Sequence, residues 1–369
     1  MKKSSVGVTI AVALFFNSPV FSQSGFSPDE KVDVRVASVK SEGLMFGLSA
    51  LAAPLCQKDR LAWGLGPPWL RVWPEATTSK NLSEQGRALK KRFPVADNDR
   101  VFIATPVLTP YAEAGILAGD TVSAESSGLD APLEPRDTWR ARTFAALEAN
   151  PVRTLSLTRG TEKLEVQVKH RLTCLATLTI KKSRNSYADS SKAWGVIVTE
   201  PLVKTLTYRQ QAIVFAHEMA QLATGGVDAN DGTGALIGGL ILGRLSAFAT
   251  NSETGYWQPK PDQMQEADTV ALWLLAQLSI SPQEYLDEMI RLDTESSSLS
   301  GAAYSTTRGL SGMRKTTIEN WVNAWKADGS LPIPKSYNET MMQQFKSHAV
   351  ETGLIKGIKT LIAEGQQIK

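Results

Sequence analysis

Apolar and polar positions change period several times along the chain. Val32, Val34 and Val36 alternate with polar residues, and the run up to Arg71 is punctuated by Gly64-Leu65-Gly66-Pro67-Pro68. That pattern predicts short strands and a connector over 23–61, with turns beyond. Glu75 to Lys91 is helix-compatible, and Val101 to Ala104 reads as a strand. Next comes Pro110-Tyr111-Ala112-Glu113-Ala114-Gly115-Ile116-Leu117-Ala118-Gly119-Asp120. It predicts a one-turn helix ending at Gly115 and a second turn at Gly119-Asp120 that launches a strand, each glycine falling where the chain reverses. Trp139 to Leu147 predicts a helix. Leu155 and Leu157, then Leu164, Val166 and Val168, alternate on either side of Arg159-Gly160, the pattern of a hairpin.

The second half begins with strand patterns at Leu175–Ile180 and Trp194–Val198. A helix then opens at Thr207, where Gln210 completes a capping box, and runs through Ile213, Val214, Phe215, His217, Glu218, Met219 and Leu222 to Gly225-Gly226. His217 and Gln221, four residues apart, share a face of it. Ser281-Pro282-Gln283-Glu284 is a second capping-box helix start.

At 369 residues with 42% hydrophobic positions, the chain has room for two domains, or one with an appendage, and a core. Forty Lys and Arg against 37 Asp and Glu leave no field suited to nucleic acid. Lys2 and Lys3, an apolar run from Val6 to Phe16, a break at Asn17-Ser18-Pro19 and the small-residue pattern ending at Ser22 predict a cleaved secretory signal over 1–22, an uncleaved anchor or a buried strand being the other reading. The run is too short for a bilayer span, which needs about 20 apolar residues. Cleavage would take the net charge from +3 to +1. The expected compartment is an oxidising one, the periplasm of a two-membraned bacterium, and no transmembrane span is expected in the mature chain. There the only two cysteines, Cys56 and Cys174, can pair, which would contribute at most about 4 to 5 kcal/mol; two separately buried thiols are the other reading. Gly232 to Leu245 is apolar and Gly-rich, open both to close packing and to contact with a membrane surface.

PYAEAGILAGD resembles the "SPAAEAGLxxGD" of PDZ domains of the bacterial protease-associated kind, and the closing hairpin is similar to that family's last two strands. The resemblance spans about 62–170. It implies that an extended chain terminus is received by strand addition. Gly64, Leu65 and Gly66 are the candidate carboxylate-binding loop, although Pro67 and Pro68 remove donors such a loop uses. A PDZ fold used only as a spacer is the other reading.

Over about 174–325, NSYAD, the strand before VTEPLVKTL, VFAHEMA and QEADTVALWLLAQLSISPQEY follow one another in an order similar to the HtpX/BepA-like gluzincins of metallopeptidase family forty-eight, and Thr316-Thr317-Ile318-Glu319 resembles that family's "TpeR" region. The resemblance implies a zinc held by His-Glu-x-x-His and a later Glu, with the first Glu activating water. This chain reads HEMAQ. His217 matches the first ligand and Glu218 the general base, but Gln221 stands at the second histidine and Met264 at the third ligand. An amide and a thioether are poor substitutes for an imidazole and a carboxylate. Glu266, about 200° from Met264 on a helix, should face elsewhere, whereas Asp268 lies on nearly the same face. His170 and His348, the remaining histidines, are far along the chain.

The expected fold is α+β: a leader over 1–22, a connector over 23–61, a small PDZ-like β domain over 62–170, and a mostly helical gluzincin-type domain over 171–369. The expected function is a pseudo-metallopeptidase that binds protein or peptide clients of the cell envelope without hydrolysing them and without a cofactor. The alternative is an active zinc metalloendopeptidase, with Glu218 as base and a reconfigured metal site of His217 with Gln221 and Asp268.

Overall fold

The computed structural model describes residues 26–56, 61–64, 69–72, 74–122, 147–174, 178–183, 188–191, 195–224, 261–298, 312–351 and 353–365. The leader over 1–22, Leu65 and Gly66, most of the helix expected at 139–147, and Gly232–Leu245 lie outside them. The architecture is α+β. No helix among the described residues is long and apolar enough to cross a membrane.

The strands expected over 23–61 are instead two helices, α1 Pro28–Ala37 and α2 Val39–Leu51. The stronger local signal was the helix start: Ser27 accepts from Glu30 N, Glu30 reaches back to Ser27 N, and Pro28 occupies the first turn. The buried positions run Val32, Arg35, Ser38 at helical spacing, while Val36 is 37% exposed, so the alternating valines misled. The two helices meet in an elbow at Ser38. There Arg35 Nη1 lies 3.1 Å from Glu42 Oε1, both side chains sealed from solvent. Burial pushes the Glu42 carboxyl up to about 7 against the pull of Arg35 and of the Ser38 hydroxyl.

Beyond the elbow the chain builds a sheet lobe. Strands β2 Trp69–Arg71, β3 Arg100–Phe102, β4 Thr121–Val122, β5 Val152–Arg159 and β6 Glu162–Lys169 pair antiparallel in that order. Period-2 alternation divides β3 between two cores. Phe102 joins Tyr111, Ile116, Leu155, Leu157 and Val168 on one face, beside α4 Pro110–Glu113. Val101, with Ile103 just past the strand, meets Val32 of α1 and Leu89 of α3 Lys80–Arg92 on the other. The Gly-Asp turn has a clear physical purpose. Asp120, buried, accepts from Leu117 N at 2.8 Å and takes the Arg159 guanidinium in a two-pronged contact at 2.7 Å per arm, tying the turn to the closing hairpin. Gly115 (φ +74°) and Gly119 (φ +95°) supply the backbone that this turn requires.

A two-stranded neck, β1 Leu61–Gly64 antiparallel to β7 Arg171–Cys174, joins this lobe to the rest. The Cys56–Cys174 disulfide, with its Cα atoms 5.8 Å apart, fastens the base of the neck. The helical lobe then forms around a three-stranded sheet in which β10 Gly195–Thr199 runs parallel to β8 Leu178–Lys181 and antiparallel to β9 Ala188–Ser191. α5 Glu200–Thr205 and α6 Tyr208–Ala223 pack against this sheet; α7 Pro261–Gln277, α8 Pro282–Ser298 and α11 Leu354–Ala363 pack on α6, α9 Gly312–Asp328 packs on α8, and α10 Glu339–Glu351 packs on α11 and α2. α6 starts at the Thr207/Gln210 capping box and is buried at every residue from Gln211 to Ala223, which explains why its sequence is apolar on nearly all sides.

Candidate functional site

The site is built where α6, α7, α8 and α9 converge on β9. α6 presents His217, Glu218 and Gln221, α7 presents Asp268, α8 Tyr285, α9 Arg314 and β9 Ser190. All seven are buried. Four long elements thus contribute polar side chains to one dry region, and each hydrogen bond made there counts for more than it would in water.

The polarity of the network follows from its ends. Arg314 can only donate, and it grips both oxygens of Asp268, Nε to Oδ2 and Nη2 to Oδ1, each at 2.6 Å. Burial alone would raise the Asp268 carboxyl. The charge and hydrogen bonds of Arg314, helped by His217, outweigh it and hold the group well below the ordinary carboxylate range. Burial and the adjoining Asp268 push the Tyr285 phenol well above its ordinary value, so its proton stays on and is donated to Asp268 Oδ1. The Tyr285 oxygen is then left to accept from His217 Nδ1 at 2.8 Å, and Asp268 Oδ1 also lies 3.1 Å from that nitrogen.

A proton on Nδ1 leaves a lone pair on His217 Nε2, and Gln221 Nε2 donates to it at 2.9 Å. The second proton of the amide points to Glu218 Oε2 at 3.4 Å, and Gln221 Oε1 accepts from Ser190 Oγ at 3.3 Å. The reverse orientation of the amide would set its oxygen against the Glu218 carboxylate. Every polar side-chain atom of Gln221 therefore has a use in this arrangement, and the imidazole is held between an acceptor at Nδ1, the Tyr285 oxygen, and a donor at Nε2, the Gln221 amide.

These residues do not fit a zinc ion. The imidazole nitrogen that a metal would take is engaged by an amide N–H, and Met264, on α7 one turn before Asp268, is a buried thioether and not a carboxylate. Asp268 sits on the Nδ1 side of His217 with both oxygens held by Arg314, the position of an orienting group and not of a ligand. Among the described residues no group of three or more His, Cys, Asp and Glu is arranged to hold a metal. Glu266 accepts from the backbone of Lys335 and Ser336 at 2.9 and 2.8 Å, away from the site as the helical angle predicts. His348 lies 3.0 Å from the Ala50 carbonyl, and His170 is buried at the end of β6, where burial, with Arg153 nearby, lowers it to about 4. Gly64 closes β1 opposite Arg171.

Sequence reasoning missed Tyr285, Arg314 and Ser190. Tyr285 lies one residue past a capping box that was legible. Arg314 is 46 residues from the carboxylate it holds and carried no local signal. Compared with protein-family models, characterised proteins and solved structures, the chain finds no match.

Proposed function

We propose that the protein is a client-binding module of the cell envelope, a peptidase-like helical lobe without hydrolytic chemistry joined to a PDZ-like sheet lobe. The observation that carries this reading is the Gln221 amide donating to His217 Nε2 at 2.9 Å, which fills with a hydrogen bond the place where a peptidase of the resembled family binds metal. With no Lewis acid, Glu218 has no means of turning a water into a nucleophile at neutral pH. The Ser190 hydroxyl donates to Gln221 Oε1 at 3.3 Å and so belongs to the same hydrogen-bonded network. On the sheet lobe, β2 is an edge strand bonded to β3 on one side, and its other edge pairs with no described strand. That is the arrangement by which an extended client segment is taken up through main-chain hydrogen bonds. A disulfide suits an oxidising compartment, in accord with the leader.

Elemental analysis of the purified mature chain, with His217→Ala as control, tests the reading. Background zinc in both proteins is expected. Near-stoichiometric zinc that disappears in His217→Ala, together with peptide hydrolysis lost in Glu218→Gln, would overturn it in favour of a metalloendopeptidase.

A further inference from the structure

Leu108 has φ +66°, a left-handed conformation that crowds the Cβ of any residue but glycine against its own backbone. It is the third residue of the turn Pro106–Thr109, closed by Thr109 N on Pro106 O at 3.4 Å, a position where positive φ usually brings glycine. Such strain persists where surrounding contacts over-determine it. The contacts here belong to the other lobe. The Leu108 side chain packs against the core of the helical lobe, and it does so where two helices carry glycine.

A Cβ on Gly357 of α11 would stand 2.3 Å from Leu108 Cδ2, and one on Gly47 of α2 would stand 3.0 Å from Leu108 Cδ1. One turn earlier, a Cβ on Gly43 would stand 2.3 Å from the Val107 carbonyl oxygen, a backbone atom that could yield only by moving the loop. Gly43 and Gly47 share a face of α2. From the neck, Arg171 Nη1 donates to the Leu108 carbonyl at 3.1 Å, and Arg171 Nη2 lies 2.7 Å from Glu113 Oε1 of α4, where the sheet lobe resumes. The seat is also coupled inward: α2 reaches the site helix through Ser41 Oγ, which donates to Gln211 Oε1 of α6 at 2.7 Å.

The lobes are joined along the chain by the Ser38 elbow and the β1–β7 neck. We propose that the 106–109 loop is a latch: seated in the glycine cradle of α2 and α11 it holds the sheet lobe against the helical lobe, and unseated it lets the sheet lobe swing on neck and elbow. Backbone strain at Leu108 favours release, while burial of its side chain against the helical core favours docking. This does not depend on the presence or absence of hydrolytic activity.

Hydrogen exchange and small-angle scattering on the full oxidised chain test the latch. Gly43→Ala should raise exchange roughly tenfold or more at 39–48 and 103–114 and enlarge the radius of gyration. Leu108→Ala, which removes the plug without adding an atom, should shift both readouts the same way. Gly312→Ala, a helical glycine whose added Cβ meets nothing within 4 Å, should match the unmodified protein. If Gly43→Ala fails to fold, Leu108→Ala decides alone. Unchanged scattering in the folded variants, with or without local loosening of the loop, would overturn the proposal.

Discussion

The amide nitrogen of Gln221 stands 2.9 Å from Nε2 of His217, one helical turn away on the same face of α6. The same spacing that would bring two imidazoles to a metal brings an amide to an imidazole here, and a hydrogen bond closes the pair. Around them Tyr285, Asp268 and Arg314 keep the histidine oriented through its other nitrogen, much as a metal-bound histidine is oriented by its outer partners.

That arrangement predicts a gain of function. Gln221→His combined with Met264→Glu should bind zinc near one equivalent, measured by elemental analysis after dialysis, because the orienting residues are already in place. Gln221→His alone should bind more weakly by roughly tenfold or more. Failure of the double variant to retain zinc while folded would show that α7 does not carry position 264 to the imidazole.

Asp268 and Arg314 predict a loss of stability with a defined pH dependence. Removing Arg314, by Arg314→Ala, leaves a buried carboxylate without its counter-charge and should cost about 3 to 5 kcal/mol in urea unfolding at neutral pH. The folded protein holds the Asp268 carboxyl below its ordinary 3.8, so the stabilisation is fully present above that pH and drains away as pH falls below it. Asp268→Asn should therefore be less stable than the unmodified chain at neutral pH and lose less between about pH 4 and pH 2. Parallel acid dependence in the two proteins would refute the assignment.

The Cys56–Cys174 bond closes a loop of sequence separation 118. Chain-entropy arithmetic sets about 4 to 5 kcal/mol as the upper limit of its contribution. The Cys56→Ser/Cys174→Ser variant should melt at lower temperature, with the neck strands β1 and β7 exchanging first. Equal melting temperatures for oxidised and reduced protein would contradict this.

Local grammar made much of the fold legible. The Thr207/Gln210 and Ser281/Glu284 capping boxes mark α6 and α8, Arg159-Gly160 marks the hairpin, and Gly115 and Gly119 mark their turns. Each is a matter of residues within a few positions of one another, where backbone sterics and one or two hydrogen bonds decide. The N-terminal segment shows the limit of that grammar. Alternating valines suggested strands, but Ser27-Pro28-Asp29-Glu30 made a helix, and packing of Val32 against Val72, Leu89 and Val101 rewarded it.

The residues at the centre of the site were equally legible: His217, Glu218 and Gln221 lie within five positions of one another, and the face shared by His217 and Gln221 follows from helical spacing alone. What that face does was decided only by the tertiary structure. Tyr285 and Arg314 come to it from 68 residues beyond His217 and 46 beyond Asp268, and only their approach sets which nitrogen of His217 carries its proton and so which way the Gln221 amide must point. The same holds for Leu108, whose strain has meaning only beside Gly47 and Gly357. Hydrogen-bond direction and close approach are properties of atoms brought together in space, and no period in a one-dimensional pattern encodes them.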